Sequence, residues 1–372
     1  MSWRTLLRLI PVMATLGGCN HQMGRMAYDS GDHQRAVEVW ENAASWGDYR
    51  AQLALAEFYA RGGHVPVDLD RALHHAQAAG SNAKSWDRAE AERILAAVYE
   101  QKGHYSEAVT WYRRSAREGN APAQMALGKI YLGGGGAGEH AIRANPQEAD
   151  RWFAEAAGSY RLTAEKGDPW AQLELAKLLA GGLGVEADPH EAERWYRAAA
   201  DQDNAWAQLE LGKLYLGGGG VEADRGEAAR MFRASAEQGN PWAQFELGKL
   251  YVAGSGVEAD PKQAARLFRA SAEQGNSWAQ FELGKLYVAG NGVEADSEQA
   301  ARLFRAPAEQ NNDWAQLELG KLYAAGAGVE ADPGQAARLF RASAEQGNSW
   351  AELALAELKG RGAEADQDEG SR

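Results

Sequence analysis

The sequence predicts an all-α array of short helix pairs stacked one on the next, a solenoid. Three observations predict it. A line of text, Trp242-Ala-Gln-Phe-Glu-Leu-Gly-Lys-Leu-Tyr251, recurs nearly verbatim from Trp170, Trp206, Trp242, Trp278, Trp314 and Trp350, each 36 residues after the last. A fixed period between about 20 and 50 residues is the signature of stacked repeats. Each period holds two apolar stripes at helical spacing, split by a glycine-rich break that ends in a helix-start signal. A chain of 372 residues would ordinarily suggest two or three globular domains, but an array has no single core and grows one repeat at a time. The formal charge of −13 and pI near 5.2 argue against nucleic acid or anionic lipid, which need a basic footprint.

Residues 1–18 read as a signal peptide. Arg4 and Arg8 are its positive region, Leu9 to Leu16 its apolar stretch, and Leu16-Gly17-Gly18-Cys19 its cleavage site. Gly17-Gly18 before Cys19 resembles the lipobox of bacterial lipoproteins, whose cysteine is acylated and becomes the first mature residue. The resemblance implies a lipid anchor at Cys19 on the periplasmic side of the envelope. Asn20 stands where an Asp would imply inner-membrane retention, so the outer membrane is favoured. Acyl chains contribute about 0.8 kcal/mol per buried methylene, and several together anchor stably. Cleavage removes Arg4 and Arg8, taking the charge from −13 to −15. Cys19 is the only cysteine, so no internal disulfide is possible. No later stretch is apolar over some 18 residues, so nothing else is expected to span a bilayer.

Residues 19–167 read as degenerate repeats. The first, over 20–48, has Tyr28, Gly31, Ala36 and Trp40 in tetratricopeptide-like places. The second starts at Arg50-Ala-Gln-Leu and uses Val67 and Asp70 ahead of its second helix. The third, 86–120, has the short turn Lys102-Gly103-His104-Tyr105. The fourth runs from Pro122 for 48 residues before Trp170, 12 more than the period. Asn145-Pro146 marks its second helix, so five extra residues enlarge the loop holding Glu139, His140 and Arg143. The other seven lengthen the second helix around Gly158, Tyr160 and Leu162. Seven residues are two turns and keep the stripe in phase. The insertion, near 137–163, is either a tolerated loop or a partner contact.

Residues 170–360 are near-identical repeats. In 242–277, the first helix over 241–252 has Ala243, Leu247, Leu250 and Tyr251 on one stripe. Gly254-Ser255-Gly256 breaks the chain, and Val257 plugs the turn into the core. Asp260-Pro261 with Gln263 reads as an N-cap, a first-position proline and a capping-box partner. The second helix carries Ala264, Leu267, Phe268 and Ala272 and ends at Gly275. Asp188-Pro189, Asp224-Arg225, Asp296-Ser297 and Asp332-Pro333 repeat the start. Helices of about 11–13 residues are marginal alone, so small residues such as Ala243, Gly248 and Ala265 must let neighbours stack closely. The final helix lacks a full partner and reads as a cap. Residues 361–372 are polar, acidic and expected to be disordered.

This pattern, A-Q-x-x-L-G-x-x-Y followed by G-x-G-V-x-x-D and a second helix with [FY]-x-x-[AS]-A, resembles the Sel-one-like repeat family, cousins of the tetratricopeptide repeat. The likeness is close over 170–360 and looser over 50–167. It implies a right-handed α-solenoid, an α/α superhelix whose concave surface binds protein partners and does not catalyse. Some relatives are cysteine-rich proteins linked to β-lactam binding; these repeats lack the cysteines, so that link is not carried over.

No catalytic constellation stands out. All eight histidines precede residue 191. His74-His75 are adjacent, so they point about 100° apart on a helix and do not chelate as i, i+4 residues do. The runs Gly133–Gly136 and Gly217–Gly220 neither follow a strand nor lead into Gly-Lys-Ser/Thr, so they are turns and not phosphate loops. Glu258 and Asp260 recur in every copy, which suits a cap better than a single catalytic acid. Arg230, Arg266, Arg302 and Arg338 form a register that could meet an anionic polymer, against the overall acidic balance. No metal or other cofactor is implied.

The tryptophans Trp170, Trp206, Trp242, Trp278, Trp314 and Trp350 are a departure from the family pattern. Trp242 lies off the apolar stripe, on the side of Glu246 and Lys249. Either each ring covers the joint between repeats, or the rings form an exposed aromatic track about 10 Å per step. The lipobox with this repeat type resembles scaffold lipoproteins of bacterial exopolysaccharide export, such as those of alginate systems. The expectation is a non-enzymatic, lipid-anchored periplasmic scaffold for envelope proteins. The alternative is a glycan-binding protein that grips exopolysaccharide or peptidoglycan on the tryptophans. An enzyme would need an acid/base pair outside the repeat consensus.

Overall fold

The computed structural model describes residues 21–62, 65–83, 87–217 and 219–369. The signal peptide and Cys19 lie outside the described residues. Contacts divide the chain into two compact bodies, with the boundary between Asp188 and Pro189. The first holds helices α1 (21–29), α2 (His33–Ser45), α3 (Tyr49–Arg61), α4 (Leu69–Asn82), α5 (Arg88–Gln101), α6 (Tyr105–Arg117), α7 (Ala121–Gly133), α8 (Pro146–Ala164) and α9 (Pro169–Gly181). The second holds α10 (Pro189–Ala200), α11 (Ala205–Gly217), α12 (Arg225–Glu237), α13 (Pro241–Ala253), α14 (Pro261–Glu273), α15 (Ser277–Ala289), α16 (Ser297–Glu309), α17 (Asp313–Ala325), α18 (Pro333–Glu345) and α19 (Ser349–Glu369). Among the described residues there is no strand, only an isolated bridge between Gly135 and Ile142.

Within each body the helices pack as consecutive pairs, α3 with α4 and α7 with α8 in one, α11 with α12 through α17 with α18 in the other. Each second helix also packs on the first helix of the next pair, as α4 does on α5 and α12 on α13. This is an all-α solenoid of helix pairs.

The repeat at 240–276 shows why the sequence folds this way. The Asn240 side chain accepts from the N–H groups of Trp242 (3.0 Å) and Ala243 (3.1 Å), closing two donors that the first turn of α13 leaves open. Gly254 ends α13 in the left-handed region. Asp260 then caps α14, accepting from Lys262 N (3.0 Å) and Gln263 N (3.1 Å). The expected capping box is replaced by a different bond. Asp260 N–H donates to the Tyr251 carbonyl at 3.0 Å, so the donor Gln263 would have satisfied is already taken. Gly256 is fixed by both conformation and space: its φ is +71°, and an added Cβ would lie 2.1 Å from the Arg225 carbonyl oxygen at the start of α12. The valine after this turn packs on the preceding repeat, Val293 on the Phe268 cluster and Val329 on that of Phe304.

The core of each pair from α11–α12 to α17–α18 is a phenylalanine pressed on a glycine. Phe232, Phe268, Phe304 and Phe340 are at most 2% exposed. A Cβ added to Gly212, Gly248, Gly284 or Gly320 would meet the opposing ring at 2.5–2.6 Å. Polar bonds then tie the second helix to the first within a repeat, and repeat to repeat. Ser271 Oγ donates to the Pro241 carbonyl (2.6 Å), Gln244 Nε2 to the Ala236 carbonyl (3.4 Å), and Arg269 to the Tyr287 hydroxyl (2.7 Å).

The first body departs from this regularity. Trp40 is buried, and its Nε1 donates to the His21 carbonyl at 3.2 Å. The cap of α4 is Asp68, which accepts from Arg71 N at 2.9 Å, and not Asp70, which lies inside the first turn. The insertion divides into an enlarged loop over 134–145, a helix α8 of 19 residues against the usual 13, and one residue more in the turn after it, so the helix gains six residues where seven were expected. Gly135 and Ile142 exchange backbone bonds of 3.0 and 2.7 Å across that loop. At the other end, α19 runs on to Glu369, so residues 361–369 are helical where disorder was expected. The stretch Ala363-Glu364-Ala365 is made of good helix formers, and no proline interrupts it. No helix among the described residues is long and apolar enough to cross a membrane.

Candidate binding surface

The N-capping asparagine makes the tryptophan the second residue of each first helix. Ala243, Leu247 and Leu250 then turn into the core, which leaves Trp242, Glu246 and Lys249 facing outward. In the second body Trp206, Trp242, Trp278, Trp314 and Trp350 are 43, 42, 51, 45 and 62% exposed. Trp170, in the first body, is 51% exposed. These rings are far more open than Trp40 and Trp152, which are 3 and 6% exposed. Among the described residues their indole N–H groups donate to no partner, whereas Trp152 and Trp195 bond Glu148 and Glu191 at 3.1 Å.

After five of the six rings a carboxylate and an ammonium follow one and two turns along the same helix, paired to each other. Glu174–Lys177, Glu210–Lys213, Glu246–Lys249, Glu282–Lys285 and Glu318–Lys321 lie 2.7–2.9 Å apart. The ammonium also sits over an aromatic face, Lys249 at 5.1 Å from the Phe245 centroid and Lys177 at 5.9 Å from that of Trp170. Val252 and Val288 add exposed apolar surface to the same helices. Trp350 differs: Ala354 and Glu357 occupy the two flanking positions.

Of the arginine register, half is paired locally. Arg230 and Arg302 pair with Glu227 and Glu298 one turn back on their own helices. His75 is buried, stacks on Tyr59 (5.9 Å, 11°) and lies 3.8 Å from Glu41. Burial holds its imidazole below the ordinary histidine range. Gly134 ends α7 with φ +70°, and Gly220 lies against Pro189 after α11. Among the described residues no three His, Cys, Asp or Glu side chains gather as metal ligands.

One cluster escaped the sequence, because its members lie 34 residues apart. The insertion folds back on the start of α6, where His140 stacks on His104 (4.7 Å, 10°). The Tyr105 ring fills the space beside Gly135 and Gly136. Ser106 Oγ (3.3 Å) and Glu107 Oε2 (3.0 Å) both reach His140 Nδ1. A nucleophile–base–acid relay needs the two partners on different ring nitrogens, so this is a latch for the loop. The Ser106 hydroxyl, with the imidazole adding to it, holds the Glu107 carboxyl below the usual carboxylate range.

The Sel1 repeat pattern matches eight segments, residues 50–83, 90–120, 121–158, 171–204, 207–240, 243–276, 279–312 and 315–348. The chain belongs to the Sel1 repeat family. Proteins of this family generally scaffold protein–protein interactions. A Sel1 repeat protein from Oxalobacter formigenes is 33% identical over 54% of this chain and 83% of its own, with a TM-score of 0.50. A protective antigen of uropathogenic Escherichia coli with an SLR fold is 26% identical over 93% and 88%, with a TM-score of 0.40. The Cut9–Hcn1 structure is 15% identical over 87% and 58%, with a TM-score of 0.51, a likeness of fold alone. No curated protein matches. Five of the Sel1 segments begin one residue after a tryptophan, at 171, 207, 243, 279 and 315. The rungs therefore stand just outside the family pattern.

Proposed function

We propose that this Sel1 repeat protein is a non-enzymatic scaffold of the bacterial envelope. Acylated Cys19 tethers it at the periplasmic side of the outer membrane, and its repeats hold envelope proteins that assemble or export exopolysaccharide. The observation that carries the binding role is the row of half-exposed tryptophans on equivalent first helices, a surface that costs solubility unless something covers it. The lipobox-like Leu16-Gly17-Gly18-Cys19 supports the tether. The test is site-specific photocrosslinking from the Trp242 and Trp278 positions in intact cells, with and without Cys19→Ala. A discrete protein adduct lost on release from the membrane supports the scaffold; no adduct from either position overturns it.

A second reading is binding of a glycan on the same rungs. It is favoured by the unbonded indole N–H groups and by the carboxylate–ammonium pair that follows five of the six rings along their helices.

A further inference from the structure

We infer that the first-helix face of the second body is a track for a neutral polysaccharide, gripped one rung per repeat. This rests on the second reading above and specifies its ligand.

Three features select the ligand. First, Trp206, Trp242, Trp278 and Trp314 head four rungs of the same composition, and Trp350 adds a bare ring at the end. A surface that says the same thing four times matches a ligand that repeats, not a protein of unique sequence. The rings recur once every 36 residues, one per repeat, so the surface presents them at a regular step. Second, each rung neutralises itself, since its glutamate and lysine pair at 2.8–2.9 Å. No net charge is left to attract an anionic or cationic polymer. Third, the rung offers acceptor oxygens, ammonium and indole donors, and a flat apolar face together. Sugar hydroxyls both donate and accept beside a face of C–H groups. A proline-rich helix, the other neutral periodic ligand, has no backbone N–H and would leave every carboxylate unused.

The experiment is a titration of the full chain, followed by tryptophan fluorescence, with four neutral series (cello-, chito-, malto- and laminari-oligosaccharides) of two, four and eight sugars. Oligogalacturonates of the same lengths and a deca-proline peptide are the counter-probes. At least one neutral series should shift the emission, with affinity rising roughly tenfold or more from two to eight sugars as rungs are engaged together. The rise should be unaffected by salt. The double variant Trp242→Ala/Trp278→Ala should abolish the length dependence while leaving the far-ultraviolet circular dichroism intact, because the rings are half exposed. If no sugar of either charge binds, the glycan reading itself fails. If the galacturonates bind best, or affinity ignores length, glycan binding stands and the neutral track is overturned. Binding of deca-proline alone overturns both.

Discussion

Two adjacent repeats of the second body, α13–α14 and α15–α16, share almost every residue and differ in how well their own two helices are joined. In α14 the buried Ser271 hydroxyl reaches back to the Pro241 carbonyl, and Gln274 bonds Gln244 at 3.0 Å. Gly275 takes the positive φ of the turn. In α16 a buried proline, Pro307, replaces that serine, and Asn311 (φ +62°) replaces the glycine. Pro307 has neither the hydroxyl nor the N–H that α-helical geometry would direct to Leu303. One step earlier, Gln280 Oε1 and Asn276 Nδ2 are buried without a partner. The cores match, since Phe268 and Phe304 are equally buried. What separates the repeats is the set of polar bonds between the first and second helix of each, so the difference lies in the intrinsic stability of the repeat and not in its interface with the next.

The largest expected effect tests whether the cores are as alike as they look. Phe268→Ala and Phe304→Ala should each cost about 3–5 kcal/mol, by the same amount within error in urea unfolding. A markedly smaller loss at Phe304 would mean the weakness reaches the core. Next, Ser271→Pro should cost about 3 kcal/mol and give α14 the fast amide exchange expected of α16. The reverse change, Pro307→Ser, should slow exchange in α16 to the α14 level. Ser271→Ala isolates the hydroxyl and should cost about 1 kcal/mol, read from the same exchange experiment. Smallest is Asn311→Gly, a gain under about 1 kcal/mol, because asparagine tolerates the left-handed region better than other side chains do.

A pH comparison contrasts the two bodies. His21 and His75 lie in the first, and burial holds both imidazoles below their ordinary value. The native state therefore prefers them neutral. That stability is complete above the unfolded value of about 6.5 and is lost as pH falls below it. Amide protection in the first body should drop between pH 7.5 and 5.5, with less change in the second. Equal loss in both would remove the histidines as the cause.

Much of this was legible from spacing alone. The period, the paired stripes, the asparagine and aspartate caps and the αL glycines are local signals, each read within one turn of chain. The split of the insertion into loop and longer helix followed from register. What was missed involved partners far apart or bonds already spoken for. Asp68 and Asp70 compete for one cap and only geometry chooses. The Gln263 box is idle because Tyr251 satisfies Asp260 first. His140 finds Ser106 and Glu107 only when the insertion folds back.

The sequence by itself determined the repeat, because a helix start, a turn and an apolar stripe depend on neighbours within a few residues. Only the tertiary structure decided that the tryptophans face outward by about half, and that Ser271 bonds its helix to the first helix of the same repeat, a bond that Pro307 lacks the hydroxyl to make. Exposure and helix-to-helix bonding depend on what the packed helix brings to each side chain, and a residue 30 positions away in sequence becomes a neighbour only after the helices pack.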